Sequence, residues 1–120
     1  MLDRRGRMEV ILERDGPTCV WCGRHFDRLV VPTTEHVVPR IKGGPSWLEN
    51  EVAACGRCNS ERGNRTPAEF ADESDGLARH PDRERLVCVM RSLEERIARV
   101  GGQRRARPYV RSQLRRLDRA

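Results

Sequence analysis

Two cysteine pairs of identical spacing, Cys19-x-x-Cys22 and Cys55-x-x-Cys58, limit the folds open to this chain more than any other feature. A C-x-x-C segment is short enough to curl both sulfurs toward one point, so two of them bring four thiolates to a tetrahedral ion such as Zn²⁺. A single pair would leave a redox dithiol equally open; the second pair favours zinc. The N-terminal stretch MLDRRGRMEV carries no apolar signal region, so a reducing, cytoplasmic location is expected, where structural disulfides are rare. The remaining cysteine, Cys88, is expected to be a small apolar core residue.

A metal staple also answers a shortage of core material. Among 120 residues the large aromatics are Trp21, Trp47, Phe26, Phe70 and Tyr109, 4% of the chain, whereas 35% is charged. A structural zinc contributes folding free energy that so thin a core would lack. No apolar run reaches the roughly 20 residues of a membrane span. The net charge is +6, and Lys42 is the only lysine; the remaining basic residues are arginines, whose planar fork suits phosphate. Residues 67–100 hold 6 basic and 8 acidic groups, while residues 101–120 hold 7 and 1, so the excess sits at the C-terminal end.

The local pattern predicts the following order. Met8, Ile11 and Leu12 follow helical spacing up to the stop Asp15-Gly16-Pro17. After the first cysteine pair, Leu29-Val30-Val31 reads as a strand, and Glu35-His36-Val37-Val38 as a second extended piece ended by Pro39. Gly43-Gly44-Pro45 marks a turn within a loop over 40–50, and Val52-Ala53-Ala54 a short strand entering the second cysteine pair. A helix is expected from Gly56 to Gly63. Thr66-Pro67-Ala68-Glu69 is a capping box with proline at the first helical position; it opens a short helix through Phe70, followed by an acidic, turn-like stretch over 71–81. Leu86, Met90, Leu93, Ile97 and Val100 then repeat at 4,3,4,3 spacing. Gly101-Gly102 ends that helix, and Pro108 opens another bearing Val110, Leu114 and Leu117. The two stripes are expected to pack on each other, since two heptads are short for a coiled coil.

The 32 residues between the cysteine pairs exceed what a plain zinc ribbon needs. They hold Glu35-His36 at a strand end and Asn50 after the glycine loop, with Asn59 directly after Cys58. In this order, CVWCG, TEHVVPRIKGG and SWLENEVAACGRCNSERGNRTP, the stretch from Asp15 to about Pro67 resembles the HNH endonuclease family and its ββα-metal core. The resemblance implies an α+β fold: an HNH nuclease domain over residues 1–67, stapled by a four-cysteine zinc site and preceded by a short N-terminal helix. A basic helical extension follows over residues 68–120.

The same resemblance implies an enzyme that hydrolyses DNA phosphodiesters with a divalent cation, leaving 5′-phosphate and 3′-hydroxyl ends. His36 is the expected general base, its side chain titrating near neutrality. Glu35, next along an extended segment, points to the opposite face. By resemblance Glu35 and Asn59 hold the cation, and such hard oxygen ligands suit Mg²⁺ or Mn²⁺. Asn50 orients the loop and the base. Many family members have Asp at position 35 and His at position 59, so the chain looks like an H-N-N variant; Glu51 stands where the family has an apolar residue. Arg62, Arg65, Arg111 and Arg115 are the candidate phosphate contacts, with Arg119 continuing the last row. Trp47 is expected to anchor the loop. The partner is DNA rather than a membrane, and the protein is expected to act as a monomer or weak homodimer, or within a larger phage or restriction assembly. The alternatives are a non-catalytic zinc-dependent DNA-binding module and a nuclease acting on RNA.

Overall fold

Several helix ends coincide with a residue that satisfies the free backbone groups there. The computed structural model describes residues 2–118, so Arg119 lies outside the described residues. Helix α1 spans Arg4–Asp15; the Asp3 side chain accepts the Gly6 N–H at 2.8 Å, and Gly16, at φ +90°, returns its N–H to Leu12. Strands β1 (Pro32–His36) and β2 (Glu51–Cys55) pair antiparallel, His36 opposite Glu51 and Glu35 opposite Val52. Helix α2 (Gly56–Arg62) leaves β2 directly. Helix α3 (Pro67–Gly76) opens on the reciprocal box of Thr66 and Glu69. Helices α4 (Arg83–Val100) and α5 (Ala106–Asp118) complete the chain.

Two local expectations fail. Leu29–Val31 is not a strand. The Asp27 carboxylate accepts the N–H groups of Leu29 (2.7 Å) and Val30 (2.8 Å), and this side-chain turn takes the backbone groups a sheet would use. Leu29 is left 93% exposed. Among the described residues there is therefore one sheet of two strands, with β1 starting at Pro32. The stretch after Phe70 is helical to Gly76, because Phe70, Ala71 and Ser74 form a buried face. Asp72, Glu73 and Asp75 lie on its outer side, where Arg83 binds Asp72 and Asp75 at 2.8 and 2.5 Å.

One hydrophobic core runs through both halves of the chain. It joins the first cysteine turn and Trp21 to Val52, Ala54 and Phe70, then to the α4 face of Leu86, Met90, Leu93 and Ile97. Val110, Leu114 and Leu117 of α5 close it. The two predicted stripes do meet within the molecule, while Val100, at the end of its stripe, is exposed. Gln113 caps the N-terminus of α3 by accepting the Ala68 N–H at 2.9 Å. The packing therefore has no break at residue 67, and α5 is built into the core rather than trailing from it.

Candidate active site and metal centre

The two cysteine turns converge as their spacing predicts. The four sulfurs of Cys19, Cys22, Cys55 and Cys58 lie within 4.8 Å of one another, and all four residues are buried. Backbone N–H groups point at them: Cys55 donates to the Cys19 sulfur at 3.3 Å and Cys58 to the Cys55 sulfur at 3.5 Å. The Arg24 guanidinium adds a 3.0 Å contact to the Cys55 sulfur. A hydrogen bond from Cys58 holds the Cys19 thiol down at about 4, and the donor, Cys58, is pushed up in consequence. Donors aimed at sulfur favour thiolates, the form a soft metal takes. His25, next to the first turn, is exposed, and Cys88 is exposed rather than in the core.

The second centre is divided by the sheet. As strand alternation requires, Glu35 and His36 point to opposite faces. The Glu35 face is covered by α2. There the Trp21 indole N–H donates to Glu35 Oε2, and the Arg62 guanidinium lies 3.3 Å from Glu35 Oε1. Burial raises the Glu35 carboxyl above the usual range, against the pull of Arg62. Asn59, one turn before Arg62, donates from its amide nitrogen to Thr33 Oγ1 at 2.8 Å. Glu35 and Asn59 thus share the seam between β1 and α2, but both oxygens of Glu35 face groups of the protein and its side chain is 8% exposed. As placed, the pair does not form an open site for Mg²⁺ or Mn²⁺.

His36 occupies the other face, under α1. Its Nε2 is 3.1 Å from Ser46 Oγ and 3.9 Å from Glu51 Oε2. Glu51, 2% exposed, is held by Arg7 through two contacts of 3.0 and 2.7 Å. Partial burial lowers the His36 pKa despite Glu51, and Arg40 and Arg7 act in the same direction as burial. The imidazole is therefore neutral at neutral pH, the form that accepts a proton. His36 opens into a groove of about 860 Å³ lined also by Arg4, Arg5, Arg7, Thr34 and Arg40.

Asn50 is fully buried between these parts. Its Oδ1 accepts the Val38 N–H at 2.9 Å, and its Nδ2 donates to the carbonyls of Val38 and Pro45 at 3.0 Å each. It ties the chain just after β1 to the glycine loop. Gly44 makes this closure feasible: a Cβ there would lie 1.8 Å from the Val38 oxygen.

The expected phosphate contacts divide. Arg62 is a correction: it is 1% exposed and donates to the His36 and Val37 carbonyls at 2.8 and 2.7 Å, so its guanidinium is consumed by the end of β1 and cannot reach a phosphate. Arg65 is on the surface, pairing with Glu73 at 2.7 Å and capping α2 through the Glu61 carbonyl. Arg111 is exposed beside Arg104 and Arg107, and Arg115 is exposed on the same helix. Trp47 packs against the core beneath Arg96, whose guanidinium carbon is 4.1 Å from the ring centroid, as a loop anchor should. Sequence reasoning missed Arg4, Arg5, Arg7, Ser46 and Arg40. The run Asp3-Arg4-Arg5-Gly6-Arg7 was visible as a basic cluster, but nothing local says that it lies over His36.

No helix among the described residues is long and apolar enough to cross a membrane. A search of curated proteins returns no match. Residues 19–74 match the sequence model of a family described as HNH endonuclease, a family whose activity points to a nuclease and to a nucleic-acid substrate. The matched segment begins at the first cysteine and includes both strands, Asn59 and the α3 capping box. Residues 19–74 thus form an HNH endonuclease-like segment within the chain.

Proposed function

We propose that the protein is a DNA endonuclease in which His36 is the general base and the four cysteines hold a structural Zn²⁺. The observation that carries this reading is the setting of His36: a neutral imidazole on the floor of a groove edged by arginines, at the end of a strand whose position Asn50 and Arg62 secure. A polyanion is drawn into such a groove, and a base at its floor meets the water that attacks phosphorus. With the Nε2 proton donated to Ser46, Nδ1 presents its lone pair and takes the proton from the attacking water. The bond from phosphorus to the 3′ oxygen breaks, and that oxygen leaves to be protonated by solvent. Arginines beside the scissile group stabilise the charge that develops on it.

Glu35 and Asn59 become cation ligands only if Glu35 gives up Arg62 and Trp21, so no step above passes through a cation there. A divalent cation, where used, would neutralise charge on the phosphate. A non-catalytic DNA-binding module has no need of a partly buried histidine in this position. The test is supercoiled plasmid incubated with the zinc-loaded protein, with and without Mg²⁺ or Mn²⁺, beside His36→Ala. Loss of a positioned base lowers the rate by roughly 10²–10⁴. Equal cleavage by His36→Ala would remove His36 from the mechanism.

A further inference from the structure

The arginines of this protein fall into two groups. Several are committed to internal partners: Arg7 to Glu51, Arg14 to Asp15, Arg79 to Glu61, Arg83 to Asp72 and Asp75, Arg85 to Asp82, and Arg96 to Glu49. The groove over His36 is different. Arg4 forms no ion pair among the described residues, and the Arg5 side chain is 90% exposed with only a loose 3.8 Å approach to Glu9. Arg40 has only a 3.3 Å contact to the Ser46 hydroxyl, the same hydroxyl that His36 touches. Among the described residues the one carboxylate lining the groove, Glu51, is already neutralised by Arg7.

From this arrangement we propose that Arg4 and Arg5 on α1, with Arg40 beside His36, form the track for the phosphates flanking the one presented to the base. The first turns of α1 make one wall, β1 from Pro32 to His36 the floor, and Arg40 the rim at the His36 end. Three guanidiniums around one groove, with only the loose Arg5–Glu9 pair to offset them, repel each other in the free protein, and a run of phosphates relieves that repulsion. The groove thus selects a nucleic-acid backbone by charge. Arg7, locked to Glu51, keeps the wall in place instead of meeting substrate. The role of the track rests on the nuclease reading, but its existence is a matter of binding alone.

The experiment measures binding of a fluorescent duplex of mixed sequence to the zinc-loaded full chain, without added divalent cation, across a range of salt. Arg4→Gln/Arg5→Gln and, separately, Arg40→Gln are compared with a charge-matched control on the exposed side of α4, Arg91→Gln/Arg99→Gln. The groove double variant should bind about tenfold more weakly at low salt, and its slope of log K against log salt should fall by about 2, roughly one unit for each phosphate that is no longer neutralised. Arg40→Gln should lower the slope by about 1. The α4 control should lose clearly less on both measures. Groove variants that bind like the wild type, or that lose no more than the control, overturn the track. A wild-type protein that binds through the groove yet leaves plasmid uncut overturns the nuclease reading and supports the track. Plasmid cleavage together with unaltered binding by the groove variants overturns the track alone.

Discussion

Replacing Arg62 with alanine should destabilise this protein severely while touching no exposed surface. The guanidinium donates to the carbonyls of His36 (2.8 Å), Val37 (2.7 Å) and Arg65 (3.0 Å), stands 3.3 Å from Glu35 Oε1, and lies 4.9 Å from the Trp21 ring centroid. Its removal leaves a buried carboxylate with only the Trp21 N–H, and takes the donor from two carbonyls at the end of β1. Breaking a buried pair by deleting one partner costs about 3–5 kcal/mol. The carbonyl and cation–π losses belong to the same cluster and do not add fully. For a chain of this size each kcal/mol corresponds to roughly 4 °C, so Tm should fall by about 12–20 °C. The assay is thermal unfolding of zinc-loaded protein followed by circular dichroism, with urea unfolding as a check. The double variant Arg62→Met/Glu35→Gln removes both charges and should recover part of the loss. If Arg62→Ala costs less than about 1 kcal/mol, or the double variant is no more stable than the single, Arg62 is not holding Glu35 and the strand end together. A phosphate-contacting Arg62 would give the reverse pattern, with normal stability and weakened DNA binding.

Metal analysis of purified protein should find about one zinc per chain, and strong chelation should unfold it, because the four thiolates tie the first turn to α2; folded, zinc-free protein would refute a structural site. Deleting residues 101–120 should abolish cooperative unfolding, since without Val110, Leu114 and Leu117 the α4 face is left bare; a truncated protein that melts cooperatively would show that α5 is dispensable. Arg111→Gln/Arg115→Gln, which spares the core, should weaken duplex binding and reduce the salt slope by up to about 2; an unchanged slope would confine DNA binding to other surfaces.

The parts legible in the sequence are those governed by neighbours within a few residues. C-x-x-C spacing brings two sulfurs together whatever surrounds them, and a second pair completes the cluster. Strand alternation alone puts Glu35 and His36 on opposite faces. The box of Thr66 and Glu69 and the apolar stripes of α4 and α5 are likewise short-range patterns, and each appears in the structure. The local pattern misled at Leu29–Val31, where β-branched residues outweighed a single aspartate able to capture two N–H groups. What the sequence could not assign are pairings between distant segments. Arg7 reaches Glu51 across 44 residues, and Arg62 reaches the carbonyls of His36 and Val37 across 26 and 25. Whether an arginine meets solvent phosphate or a buried carboxylate depends on which elements close over it, and only chain packing decides that. The same packing lays the basic first turns of α1 over His36 and turns Glu35 inward to Trp21 and Arg62, because a buried charge must be matched by a group the fold itself brings near.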